Sequence, residues 1–186
     1  MDELRTAGIR ALADLGTSLL EVTGSVVVRR TQRLSDFANF PDPMMDVSDA
    51  SARTLHVDGA EPFEDSETLS LNRDRVLVMI PVEDEHPGAH HDLKVLGRRV
   101  GVRIICRAVQ VTGFVNLPVN ATLSTFIHER HSRFIAVNGA RILPISSHAS
   151  VQLTDFAVLH EFCLVNRDYV IACIEAPPSS SDQADV

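Results

Sequence analysis

Apolar and polar positions in this chain follow two periods. Val100, Val102, Ile104 and Cys106 share one face of an extended segment, so Val100 to Leu117 reads as β structure, as does Leu19 to Val28 earlier on. Near the N-terminus, Leu4, Ala7, Ala11, Leu12 and Leu15 stand at spacings compatible with a helix face. Asp2 and Glu3 would suit the first turn of that helix, and Gly16 would end it. This pattern predicts an N-terminal helix over residues 1–16.

The β pattern then occurs twice. Val22-Thr23-Gly24 returns as Val111-Thr112-Gly113, 89 positions on, and Leu34-Ser35 and Phe37 return as Leu123-Ser124 and Phe126 at the same offset. Ala52-Arg53 and Leu55 match Ala140-Arg141 and Leu143 at an offset of 88. Asn72-Arg73-Asp74 matches Asn166-Arg167-Asp168 at 94. Offsets that drift only where loops fall are those of an internal duplication. The expected organisation is a first β repeat over 17–82, a linker over 83–92, a second repeat over 93–176 and a disordered tail over 177–186.

Each repeat follows one plan. A strand region interrupted by Gly24 or Gly113 comes first, and such a glycine marks a bulge or bend. A helical turn follows, for which Ser35 and Ser124 are candidate N-caps and Phe37 and Phe126 candidate buried anchors. A strand pair comes next, with Asn138-Gly139 as a hairpin signal or a kink in a longer strand. After a polar loop, at 56–66 or 146–158, a strand, an Asn-Arg-Asp turn and a last strand close the repeat.

Composition narrows the possible chemistry. With 17 basic against 25 acidic residues, the net charge of −8 disfavours phosphate backbones and acidic membranes as partners. Met1-Asp2-Glu3 lacks the start of a secretion signal, which predicts a cytoplasmic protein. Cys106, Cys163 and Cys173 form no Cys-x-x-Cys pair and read as reduced, buried thiols. His86, His90 and His91 lie beside Glu83, Asp84, Glu85 and Asp92, which are metal-ligand types in a connector broken by Pro87-Gly88. A solvated linker is the expected reading there. His128 and His131 stand three apart, whereas the helical zinc motif puts its histidines four apart. Ser35-Asp36 lacks an adjacent base, so it reads as a cap. Arg29, Arg30 and Arg33 read as a solvated basic face. No catalytic, cofactor-binding or metal-ligating residue is assigned.

The Arg33 to Asn39 segment and the Leu71 to Asp74 and Val165 to Asp168 turns resemble a family of uncharacterised bacterial domains with a Leu-Ser-Asp-Phe-Leu-Asn-like signature. The order of strands and the glycine-centred bend also resemble Sm-like and SH3-like small barrels. That resemblance implies a mainly β fold of two tandem barrel-like repeats, each with a short helical turn. It also implies a binding or assembly role and supplies no catalytic residues. The expected function is therefore a non-enzymatic protein–protein interaction or assembly module, acting through a protein partner or self-association. The alternative is a nucleic-acid-binding Sm-like protein. No nucleic acid, membrane or cofactor is expected as a partner.

Overall fold

The computed structural model describes residues 3–56, 59–82, 97–128, 132–145, 156 and 158–176. The linker 83–92 with its three histidines, the segment 129–131, most of the loop 146–158 and the tail 177–186 lie outside the described residues. The chain is mainly β. Its first half holds β1 (Leu4–Asp14), β2 (Leu19–Arg29), α1 (Leu34–Ala38), β3 (Met44–His56), β4 (Gly59–Ala60), β5 (Glu64–Asn72), a 3-10 turn at Arg73–Arg75 and β6 (Val76–Pro81). Its second half holds β7 (Gly97–Cys106), β8 (Val109–Pro118), α2 (Leu123–His128), β9 (Phe134–Pro144), β10 (Leu159–Asn166), a 3-10 turn at Arg167–Tyr169 and β11 (Val170–Glu175).

Strand order in the first half is β6-β1-β2-β3-β5, and in the second it is β11-β7-β8-β9-β10. The two orders are the same, and every pairing is antiparallel. β10 then pairs with β6, so all the strands join one sheet. The expectation of two closed barrels is corrected accordingly: the described pairings form an open path that crosses from one half to the other. The physical cause is β6. Val76 to Ile80 are all buried, and a strand that is apolar on both faces with a free edge takes up a second partner strand.

The N-terminal helix over 1–16 is also corrected, because Leu4–Asp14 is strand β1. Ala7, Ile9, Ala11 and Ala13 alternate into one apolar cluster, while Leu4 and Leu15 of the supposed helix stripe are exposed. Alanine favours helices in isolation, but pairing to β2 on one edge and β6 on the other overrides that small preference. Gly16 (φ 93°) serves the turn between β1 and β2.

Both glycine bends are β-bulges. Asp49 and Ala50 of β3 oppose the single Gly24, and Gly139 and Ala140 of β9 oppose Gly113. Asp49 (φ 48°) and Gly139 (φ 54°) take the left-handed conformation at matching places, so Asn138-Gly139 kinks a long strand rather than turning a hairpin. The same register pairs Val22 with Ala52 and Val111 with Ile142, an offset of 90 between β3 and β9. The Ala52-Arg53 match to Ala140-Arg141 therefore falls two residues out of structural register. A two-residue slip preserves the side-chain face, so the apolar pattern alone does not reveal it.

A Cβ on Gly113 would stand 2.7 Å from Val137 Cγ1 and 2.8 Å from the Asn138 carbonyl oxygen. One on Gly24 would meet Val47 Cγ1 at 2.6 Å and the Ser48 carbonyl oxygen at 2.8 Å. Gly113→Ala is expected to cost about 1–3 kcal/mol, the range for forcing extra atoms into a packed site. Urea denaturation checks this, and an unchanged midpoint would remove the close approach as the reason for glycine.

Candidate binding surface

The two halves meet along a seam built from backbone pairing, apolar exchange and polar locks. Leu164 and Val165 of β10 stand opposite Met79 and Val78 of β6. Each half also lends side chains to the other's core. Leu77, Val78 and Ile80 lie in the cluster with Val102, Val109 and Val165, whereas Phe134 and Leu164 lie in the cluster with Ile9, Val22 and Leu71. Asn166, fully buried, donates from Nδ2 to the Val76 carbonyl at 2.8 Å and accepts from the Asp168 N–H at Oδ1. Asn39 accepts the Phe134 N–H at 2.7 Å. Arg133 pairs with Asp74 at 2.7 Å. Arg107 grips both carboxylate oxygens of Asp14, at 2.9 and 3.0 Å, and also reaches the Gly16 carbonyl. Buried polar groups are costly unless partnered, and these partners cross the seam.

Within each half, one arginine ties the closing turn to the short helix. Arg73 is 3% exposed, lies 4.8 Å over the Phe37 ring and donates to the Asp42 carbonyl at 2.6 Å and to the Met44 carbonyl. Arg167 lies 5.0 Å over the Phe126 ring and donates to the Phe126 carbonyl and to Ser132 Oγ at 3.2 Å. Burial pushes the Arg73 guanidinium below its ordinary range, partly offset by Asp42. The Leu-Ser-x-Phe and Asn-Arg-Asp motifs thus form one contact, made once in each half. Phe37 and Phe126 are half-buried platforms for these arginines, which corrects the expectation of fully buried anchors. The caps differ as well. The Arg33 N–H donates to Asp36 Oδ2 at 3.2 Å, and Thr122 and Thr125 bond reciprocally, each N–H to the other's hydroxyl at 2.9 and 3.1 Å. Ser35 and Ser124 sit inside the helices. Thr125 replaces Asp36 because both supply an acceptor at that place.

Among the described residues, Glu21 is the most buried carboxylate, at 1% exposed, and lies between two guanidinium groups. Arg53 reaches its Oε2 at 2.7 Å, and Arg10 Nε lies 3.7 Å from Oε1. Arg53 also lies over Phe63, and Arg10 over Phe156. His160 contacts the Phe156 carbonyl, and its pKa is lowered by burial first. The carboxylate is neutralised by its neighbours, a structural arrangement rather than a poised base. Among the described residues, no group of three or more His, Cys, Asp or Glu comes together to hold a metal. Cys106 and Cys163 are buried and Cys173 half-buried, all as free thiols.

Two edges of the sheet remain without a partner strand among the described residues: β11 at one end and β5, with the short β4, at the other. β11 exposes Ile171 and Ile174. β5 exposes Glu64, Asp65 and Glu67. An open cleft of about 570 Å³ adjoins the end of β5, lined by Ala13, Leu15, Leu20, Leu71, Asn72 and Arg75 among others. Residues 59–66, from the polar loop expected at 56–66, lie along this same edge of the sheet. No helix among the described residues is long and apolar enough to cross a membrane.

No family model, curated protein or solved structure matches the chain.

Arg73→Met would leave the Asp42 and Met44 carbonyls without their charged donor. A loss of about 2–3 kcal/mol is expected, since each half-buried acceptor left unpaired costs about 1–3. A change under about 0.5 kcal/mol in equilibrium denaturation, typical of a surface site, would contradict the role given to Arg73. The thiols yield a separate expectation. Burial pushes Cys106 up to about 12 and Cys173 up to about 11, and it raises Cys163 as well. The thiolate is the reactive form, so alkylation at Cys173 should quicken about tenfold per pH unit from neutrality upward. Cys106 and Cys163 should react only on unfolding. Mass spectrometry of timed alkylation reads the order, and equal rates at all three would refute it.

Proposed function

We propose that the chain is a non-enzymatic protein–protein interaction or assembly module of the cytoplasm, acting by self-association or by accepting a protein partner at its strand edges. The observation that supports this reading most directly is the edge strand β11. It presents apolar side chains beside a row of backbone groups that is unpaired among the described residues, and such edges take up further strands. β5 at the opposite end offers a second edge of different character.

A nucleic-acid reading draws on β7, where Arg99 and Arg103 are exposed on the face of Phe114 and Arg98 is exposed on the other face. Two of these arginines have partners. Arg98 pairs with Glu175 at 3.4 Å, and Arg99 lies 3.8 Å over the Phe114 ring, covering the face on which a base would stack. The net charge of −8 opposes backbone binding as well. The protein reading is therefore preferred.

Sedimentation velocity at micromolar concentrations is expected to show self-association, or complex formation once a protein partner is supplied. Fluorescence anisotropy with single- and double-stranded DNA and RNA is expected to stay flat at physiological salt. Sub-micromolar, salt-sensitive binding to nucleic acid would overturn the proposal in favour of the rival.

A further inference from the structure

The two halves correspond strand for strand, and the correspondence can be read residue by residue. β10 lies 94 positions beyond β5, and β11 lies 94 beyond β6, as fixed by Asn72 and Asn166 at the strand ends. The pairings agree throughout: Met44↔Asn72 with Phe134↔Asn166, Ala50↔Ser66 with Ala140↔His160, and Arg10↔Ile80 with Arg103↔Ile174. Even the irregularities coincide, since the register shifts at Val76/Val78 in β6 and at Val170/Ala172 in β11.

Matched residues nevertheless differ in burial. Leu77 is 0% exposed and its counterpart Ile171 is 70% exposed; Ile80 is 2% exposed and its counterpart Ile174 is 50% exposed. In the first half these residues are covered by β10 and enter the second half's core. In the second half nothing described covers them. The receiving side shows the complementary difference. Leu77 belongs to the cluster containing Cys106, Val109 and Val165. The counterparts of those three are Ala13, Leu20 and Leu71, and they line the open cleft beside β5. One end of the strand path thus carries an apolar knob that nothing described covers, and the other end carries the matching cleft.

We infer that a second copy of this chain joins the two: β11 of one molecule pairs with β5 of the next, Ile171 enters the cleft at Leu20 and Leu71, and the β6–β10 seam is repeated between molecules. Transferring the seam register places Cys173 opposite Ser70 and Ala172 opposite Leu71. Charge agrees with this placement. Arg103, counterpart of Arg10, which lies over Phe156 of the second half, is exposed beside β11, and the stretch of β5 it would face carries Asp65 and Glu67. β5 is more polar than β10, so the contact between copies is reversible and weakens with salt. A heterologous contact of this kind closes a ring or runs on as a chain of molecules. The inference rests on the assembly reading above and names its surface, register and occupant.

A disulfide tests the register. Directly opposed residues in an antiparallel pair hold their Cα atoms about 4.5–5.5 Å apart, within disulfide reach. Ser70→Cys, oxidised with copper-phenanthroline at mildly alkaline pH, is expected to link to native Cys173 of another copy. The product should be a ladder of covalent oligomers on a non-reducing gel, lost on reduction and lost again when Cys173→Ser is added. Ser66→Cys, farther along β5, should link poorly. In parallel, Ile171→Asp should abolish association in sedimentation velocity while leaving the thermal midpoint within a degree or two, because that side chain is already exposed. Association that persists in Ile171→Asp with no Ser70→Cys ladder would overturn this inference and leave the assembly reading standing. Covalent dimers formed equally by the unmodified chain through Cys173 alone would place β11 against β11 and overturn it too. A chain that stays single at every concentration and binds no protein would overturn both.

Discussion

Everything in this fold depends on strand β6 being enclosed. Val76 to Ile80 carry apolar side chains on both faces, so the strand is stable only where both faces are covered and both edges are paired. β1 supplies one edge and β10 the other, and β10 belongs to the second half. The hydrophobic demand of a single strand therefore fuses the two halves into one sheet. It also mixes their cores, since Leu77 and Ile80 pack with the second half while Leu164 and Phe134 pack with the first.

Polar residues then fix the angle and register of what the apolar residues only bring together. Hydrophobic contact is non-directional, whereas a buried amide or guanidinium is satisfied in one geometry. Asn166 holds its own 3-10 turn with one side-chain atom and the start of β6 with another. Asn39 performs a similar double task, donating to the Ser35 carbonyl while accepting from Phe134. Arg107 on Asp14 and Arg133 on Asp74 add charge-assisted contacts at separate points of the seam. Within each half, the arginine of the Asn-Arg-Asp turn lies flat on the phenylalanine of the helical turn. That contact joins segments distant in sequence, and it explains why the two motifs occur together in both halves.

The β character and the bends at Gly24 and Gly113 were legible because each has a local cause: alternation and a missing Cβ. Other features were not legible, for reasons that are equally physical. β1 is rich in alanine, and alanine at positions 7 and 11 satisfies a helical stripe and an alternating face together; only its two neighbouring strands decide between them. Ser35 drew attention as a cap by its hydroxyl, yet Asp36 caps from one residue farther on. Ala52-Arg53 resembled Ala140-Arg141 in letters, while the strand pairings, offset by 90 on both sides of the matched bulges, put the true correspondence two residues away. The β6–β10 pairing was invisible, because an apolar run specifies that it must be covered without specifying by what. The seam, and with it the candidate binding surface, emerges only from tertiary structure.

The two edges that lack a partner strand among the described residues are unequal in a way that bears on what can pair with them. An edge that is long, flat and apolar invites indiscriminate pairing. β5 carries Glu64, Asp65 and Glu67 along its outer stretch, so a strand arriving without compensating charge meets repulsion there. β11 is apolar at Ile171 and Ile174 but spans only six residues, and its Glu175 is engaged by Arg98. Two copies of β5 repel each other through like charge, and two copies of β11 offer little length to pair. The combination of β11 with β5 escapes both penalties, because exposed Arg103 stands beside the apolar edge and the carboxylates beside the other. In the inferred contact between copies, charge selects among edge pairings that backbone hydrogen bonding alone would allow, much as Arg107 on Asp14 and Arg133 on Asp74 fix points of the seam inside the chain.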